Sequence, residues 1–232
     1  MGYGWLLYLC VMNSPDRPTF YYVYDALCGW CYGFSPVMKS FFENHQTDFD
    51  FRVVSGGMVM GERSGPIGQV AGYIKTAYHK VEDRTGVKFG KAFLEGMLEE
   101  GTANFSSLQP AIAMSVFRTF QPEKQVSFAH DLQSMIYSDG IGPDEIGHYG
   151  VIAEKYGVDK EAFNKGMGNE DLIKDAFGDF EIAQQLGVQG FPSAFIHRGD
   201  TFYMVVHGFC EESLLERRVD KVMETPIPSP EQ

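Results

Sequence analysis

The spacing of hydrophobic positions changes several times along the chain, and each change marks an element. Thr19 to Tyr24 is a run of aromatic and β-branched residues, the composition of a buried strand. After Cys31 the apolar residues fall at Phe34, Val37, Met38, Phe41 and Phe42, which lie on one face of an amphipathic helix. Asp50 to Val54 returns to a strand pattern. A right-handed crossover through the helix would lay it parallel to the first strand, so the chain opens as a βαβ unit.

From Gly56 to Lys165 the texture becomes helical. Amphipathic segments of helix length cover Gly68 to Val81, Phe89 to Glu99, Ser106 to Phe120 and Glu123 to Tyr137. Pro143 and Asp144 suit a helix start, and Gly157 behind Lys155 and Tyr156 suits a helix end. Asp171 to Leu186 reads as a further helix closed by Gly187. Ser193 to Ile196 and Phe202 to Val206 then read as strands around His197-Arg198-Gly199-Asp200, a four-residue turn that makes them an antiparallel hairpin. Glu212 to Met223 is a last helix, and the Pro-rich tail at 225–232 should fray. The order predicts an α/β domain from residues 18–55 and 168–224, interrupted by an all-helical subdomain at 56–167.

Composition narrows the function classes. The 232 residues are 44% hydrophobic and 22% charged, enough for a packed core without staples. A formal net charge of -12, with no basic cluster to offset it, excludes nucleic acid and anionic membrane surfaces as expected partners. Residues 1–17 carry an apolar run, Trp5 to Met12, but no Lys or Arg precedes it and no small-residue cleavage site follows. They read as a poorly ordered leader, and the expected compartment is the cytoplasm, with export as the alternative. Four cysteines are too few for a secreted disulfide scaffold, and Cys10 and Cys210 stand alone.

The remaining pair, Cys28-Gly29-Trp30-Cys31, lies between the first strand and the first helix. Free N–H groups and the positive end of the helix dipole stabilise an anion at that position, so Cys28 is the candidate nucleophile. Cys31, one turn further in, would resolve the mixed disulfide that Cys28 forms. Half of a zinc site is the competing reading, but no second CxxC or CxxH supplies further ligands, and no metal is expected. Asp25 could accept a proton from Cys31 or tune Cys28; the plainer reading is a turn residue at the strand end. Trp30, Tyr32 and Phe34 could line an apolar groove, with Phe34 more at home in the core and Trp30 the best placed for exposure. The six histidines show no ligand spacing, and Gly56-Gly57 lacks the rest of a phosphate loop.

Phe191-Pro192 precedes the hairpin, where a proline marks a turn, a sheet edge or a cis bond. Taken with the CxxC pair, the inserted helices and Pro36 inside the first helix, this arrangement resembles the DsbA-like branch of the thioredoxin superfamily, nearest the FrnE-type disulfide isomerases. The resemblance spans Thr19 to Met223. It implies a thioredoxin fold, a cis Pro192 facing the disulfide, and a Phe191 backbone that pairs with substrate. It implies a thiol–disulfide oxidoreductase acting on protein or peptide thiols and disulfides. No cofactor is needed beyond the redox-active disulfide, and glutathione stays open as a co-substrate.

One departure matters. The oxidising periplasmic members carry a His between their cysteines where this chain has Gly29-Trp30, so reduction or isomerisation is expected over oxidation. Two alternatives remain: a glutathione-dependent isomerase or transferase of the kappa-class or 2-hydroxychromene-2-carboxylate isomerase type, and a thiol-bearing chaperone. The presence of Cys31 argues for dithiol exchange, since an isomerase of the first kind needs no resolving thiol. The sequence leaves the oligomeric state open.

Overall fold

The computed structural model describes residues 17–226 of the chain. Cys10, nearly all of the expected leader and most of the expected tail lie outside the described residues. A four-stranded sheet organises the fold. Strand β1 (Thr19–Tyr24) pairs in parallel with β2 (Asp50–Ser55) on one side and antiparallel with β5 (Ser193–Arg198) on the other. Beyond it lies β6 (Thr201–His207), which gives the order β2-β1-β5-β6.

Every residue of β1 is buried, because helices cover both of its faces. The strand period of two sorts its side chains: Phe20, Tyr22 and Tyr24 enter the main core, while Tyr21 and Val23 join Val54, Ala183 and Phe195 on the opposite face. Helix α1 (Gly29–His45) buries Phe34, Met38, Phe41 and Phe42 of the expected stripe, with Val37 half-buried. Pro36 lies inside this helix and cannot donate to the Tyr32 carbonyl. Ser35 Oγ donates to that carbonyl instead, at 2.9 Å.

Between β2 and α8 (Glu170–Gln185) runs the predicted helical block. It contains α2 (Ala71–Thr85), α4 (Leu108–Phe120), α5 (Gln125–Tyr137), α6 (Gly147–Glu154) and α7 (Lys160–Gly166), with α3 (Leu98–Glu100) continuing a π-helical turn, Ala92–Met97. Tight glycines set its docking. A Cβ at Gly33 would sit 2.7 Å from Thr85 Cγ2 and 2.9 Å from Val81 Cγ1, so α2 lies closer to α1 than a larger residue would permit. At Gly90 the neighbour is the backbone of Ser138, whose carbonyl oxygen would lie 1.9 Å from an added Cβ.

Several boundaries differ from the sequence reading. The second helix begins at Ala71 rather than Gly68, because residues 67–69 form a 3-10 turn that leads into it. The Phe89 to Glu99 segment is largely π-helical, which periodicity alone does not distinguish from α. Pro143 and Asp144 do not start a helix: Asp144 Oδ2 accepts from Asn104 N–H at 3.0 Å, and α6 begins three residues later at Gly147. The hairpin closes on Gly199 and Asp200 alone, with Gly199 at a φ of 60°, since His197 and Arg198 stay paired. A short ribbon of β3 (Gly65–Pro66) and β4 (Asn104–Phe105) also braces the helical block. The last helix, α9 (Glu212–Glu224), packs Leu215 and Val219 into the core.

Candidate active site

Cys28 is the N-cap of α1, with extended backbone torsions of -92° and 111°. Its Sγ accepts the Cys31 N–H at 3.4 Å, so the sulfur already holds one of the free donors at the helix end. The same sulfur lies 3.7 Å from the carbonyl oxygen of Phe191. Residues 163 positions apart in sequence thus meet at one atom.

The Phe191–Pro192 peptide bond is cis, and Pro192 is buried. Gly56 positions this loop from below. A Cβ there would fall 2.1 Å from Phe191 Cε1, so the ring occupies the space that the glycine leaves free. Gly56 N–H in turn donates to Tyr24 O at 2.7 Å, which ties the end of β2 to the end of β1 just before the cysteines.

Cys28 is less exposed than a helix-end position suggests, at 6% of its full area, because the Phe191 carbonyl and the residues flanking a neighbouring cavity cover it. Cys31 is fully buried. Burial pushes the Cys31 thiol well above its ordinary range, and hydrogen bonding and charge repulsion from Cys28 push it further. A hydrogen bond with the Asp25 backbone works in the other direction, and the Asp25 charge adds a still smaller repulsion.

Asp25 serves as a turn residue and as more than one. Its Oδ1 accepts from Leu27 N–H at 2.9 Å, the bond expected of a turn. Ser107 Oγ donates to the same oxygen at 2.9 Å, and Met58 N–H donates to Oδ2 at 2.7 Å. Gln133 Nε2 adds a bond to the Asp25 carbonyl at 3.4 Å. Burial raises the carboxyl above the usual carboxylate range, against the lowering effect of the three donors to its oxygens. The group also pins the cysteine turn to the helical block.

Of the aromatic residues proposed for a groove, Trp30 is 37% exposed while Phe34 is fully buried. Tyr32 does not line the cavity: its ring packs on Phe89 and Tyr137, which do, and its hydroxyl donates to Lys88 O at 3.0 Å. Gly29 and Trp30 instead line a cavity beside Cys28, together with residues of α2. Cys210 is buried and separate from this site, and burial raises its thiol. Met58, Ser107 and Gln133 were not legible as site residues, since they lie 33, 82 and 108 positions from Asp25 and carry no motif.

A family model described as the DSBA-like thioredoxin domain matches residues 20–219. The chain belongs to that family. Among solved structures, this DSBA-like chain is similar to a candidate protein disulfide isomerase from Nitrosomonas europaea, with a TM-score of 0.76 and 19% identity over 90% of this chain and 98% of the other. It is similar to the cytosolic disulfide reductase DsbM from Pseudomonas aeruginosa, with a TM-score of 0.75 and 24% identity over 89% and 100%. DsbM is also known with GSH bound. A more distant likeness is to a 2-hydroxychromene-2-carboxylate isomerase, with a TM-score of 0.53 and 13% identity over 88% and 94%. No curated protein sequence matches the chain at a significant level. At these identities the structural likenesses establish the thioredoxin fold with its helical insertion. No helix among the described residues is long and apolar enough to cross a membrane.

Proposed function

We propose that the chain is a thiol–disulfide oxidoreductase that reduces or isomerises disulfides in proteins or peptides. The observation that carries this reading is the single-atom convergence at Cys28. Its sulfur holds a helix-terminal N–H and lies against the carbonyl beside Pro192, while a second, buried thiol waits one turn inside.

In the reducing direction the Cys28 thiolate attacks one sulfur of the substrate disulfide. A bond forms between Cys28 Sγ and that sulfur, the substrate S–S bond breaks, and the departing thiolate takes a proton from solvent. Cys31 then gives up its proton and attacks Cys28 Sγ. This closes the Cys28–Cys31 disulfide and releases the second substrate thiolate, which is protonated in turn. Two electrons have moved from the dithiol to the substrate. A thiol reductant restores the dithiol, and the likeness to a cytosolic reductase known with GSH supports glutathione in that role and a cytosolic setting.

The second step needs a base, because burial holds Cys31 protonated. Asp25 fits that role, being a buried carboxylate whose proton affinity is already raised. Phe191 contributes backbone groups next to the reacting sulfur, and extended peptides can pair with such groups without their side chains being read.

Insulin reduction with a thiol donor tests this reading. Cys28→Ser should abolish turnover. Cys31→Ser should accumulate a mixed disulfide at Cys28, and Asp25→Asn should slow the resolving step while leaving the first attack in place. Turnover that survives Cys28→Ser would overturn the assignment.

A further inference from the structure

The two edges of the main sheet are finished differently. On the β2 edge, side chains take up the outward backbone groups. Gln125 Oε1 accepts from Val53 N–H at 3.3 Å, and Asp179 Oδ2 accepts from Ser55 N–H at 3.1 Å. Arg118 donates to Val53 O at 3.0 Å, and Gln125 Nε2 donates to Phe51 O at 3.3 Å. The β6 edge has far less cover: among the described residues a side chain bonds its backbone only at Val205 O, from Arg218 of α9 at 3.0 Å. Charged residues and prolines are the usual means of blunting a free edge, and Thr201–His207 contains no Asp, Glu, Lys, Arg or Pro.

The pairing register shows which groups are left open. Gly199 takes a positive φ and Asp200 does not, the pattern of a type II′ turn, so Arg198 and Thr201 close the hairpin as a hydrogen-bonded pair. Bonded and non-bonded pairs then alternate, and Phe202 and Met204 turn their N–H and C=O groups away from β5. Past Met204 the open stretch ends in a bulge: Phe195 faces Met204 and Ala194 faces Val206, which leaves Val205 without a partner on β5. The side chains of the same two residues reach solvent, Phe202 at 38% and Met204 at 50% of their full areas. The period of two puts both on one face of the sheet, where the Phe202 ring meets Tyr21 edge-on.

The strand that best fits this stretch is β6 of a second copy. With Tyr203 on a two-fold axis, antiparallel pairing sets Phe202 of each copy opposite Met204 of the other, and each such pair exchanges two N–H···O=C bonds. It also lays the aromatic ring against the thioether, a favourable cross-strand contact that removes both exposed side chains from water. Other registers do worse. A shift of one residue sets outward backbone groups against inward ones, and a shift of two puts Met204 opposite the turn at Asp200 or Phe202 opposite Val206 beyond the bulge. Charge points to the same place: each copy carries a formal -12, so two copies repel one another least where the meeting surfaces are uncharged, as this stretch is.

We propose that the chain forms a two-fold homodimer by antiparallel pairing of β6 at Phe202–Met204, which joins two four-stranded sheets into one. The open stretch lies toward the hairpin turn, whereas Cys28 follows the end of β1 that pairs with Ser193 and Ser55, at the opposite end of the sheet. Both active sites therefore stay accessible in the dimer. The contact is small, which places its dissociation constant in about the micromolar to millimolar range.

Sedimentation velocity of the full, reduced chain from about 10 µM to about 1 mM should show a monomer–dimer equilibrium. Met204→Pro removes an outward N–H while sparing the bonds to β5, and Met204→Lys places a charge at the centre of the contact. Each should weaken dimerisation about tenfold or more while keeping the circular dichroism spectrum of the wild type. Hydrogen exchange supplies a second reading: the Phe202 and Met204 amides should gain protection as the wild-type concentration rises, and should not in Met204→Lys. A monomer over the whole range would overturn the proposal. A dimer that persists undiminished in both variants would do so too, by placing the interface elsewhere. Protection of these two amides that is independent of concentration would show that the chain covers its own edge, and would also overturn it.

Discussion

At the scale of single residues, two cysteines three positions apart meet different surroundings. Cys28 caps the helix with a donor on its sulfur and an opening to the cavity, while Cys31 is sealed in the core with its thiol held protonated. Alkylation reports both differences at once, because the thiolate is the reacting species and the reagent must reach it. In the reduced protein near neutral pH, iodoacetamide should modify Cys28 at least about tenfold faster than Cys31, as read by peptide mass spectrometry. Equal rates, or faster modification of Cys31, would reverse the two roles. The sequence displayed Cys28, Gly29, Trp30, Cys31 and Pro192 because each belongs to a local pattern, a capped helix start or a proline before a strand. It also displayed Asp25 as a turn residue. It could not display the bonds from Met58, Ser107 and Gln133 to Asp25, which depend on how the helical block folds back over the cysteine turn.

At the scale of elements, α1 is anchored at both ends. Its N-terminus carries the cysteines, and its C-terminus carries His45, whose ring bonds Asp48 Oδ2 at 2.9 Å and Glu216 of α9 at 3.0 Å. Burial alone would lower the His45 pKa, but the hydrogen bonds and charges of Asp48 and Glu216 outweigh it, and the net shift is upward. A raised histidine favours the protonated form in the folded state. Its contribution is therefore fully present below the unfolded histidine pKa of about 6.5 and is lost as the pH rises through the higher folded value. A cation at a helix C-terminus is worth on the order of 1 kcal/mol. Denaturant unfolding of the wild type and His45→Gln should differ by about that much at about pH 5.5 and by much less at about pH 8.5. A difference that grows with pH would contradict the ion-pair account.

The legible elements were those with a sustained period. All four strands of the main sheet and the long helices were visible, because burial on one face or on both imposes a regular spacing of apolar residues. The π-helical turn at Ala92–Met97 and the true start of α6 were not, since both follow from contacts made by the folded block and not from local preference. The ribbon at Gly65–Pro66 and Asn104–Phe105 is two residues long on each side, too short to leave a period.

At the scale of the whole molecule, a buried ion-pair network joins the sheet to the helices that surround it. Asp179 of α8 is fully buried and accepts from Arg52 of β2 at 2.7 Å, from Arg118 of α4 at 2.8 Å and from Ser55 N–H at 3.1 Å. Arg118 also reaches Asp175 and the Val53 carbonyl. This network ends at the same strand terminus, Ser55-Gly56, that seats the Phe191 ring, so it supports the loop facing Cys28. The site it supports holds no cation between the cysteines, where only Gly29 and Trp30 stand. A cation there would stabilise the reduced form and make the disulfide more oxidising. The proposed function has the dithiol give electrons to disulfides, and its reduction potential tests that proposal most directly. Equilibrating the chain over a range of glutathione redox buffers and quantifying the Cys28–Cys31 disulfide by mass spectrometry should give a potential more negative than about -180 mV, within the range between disulfide isomerase and thioredoxin. A value near the oxidase potential of about -120 mV, or no Cys28–Cys31 disulfide at any buffer ratio, would contradict the account.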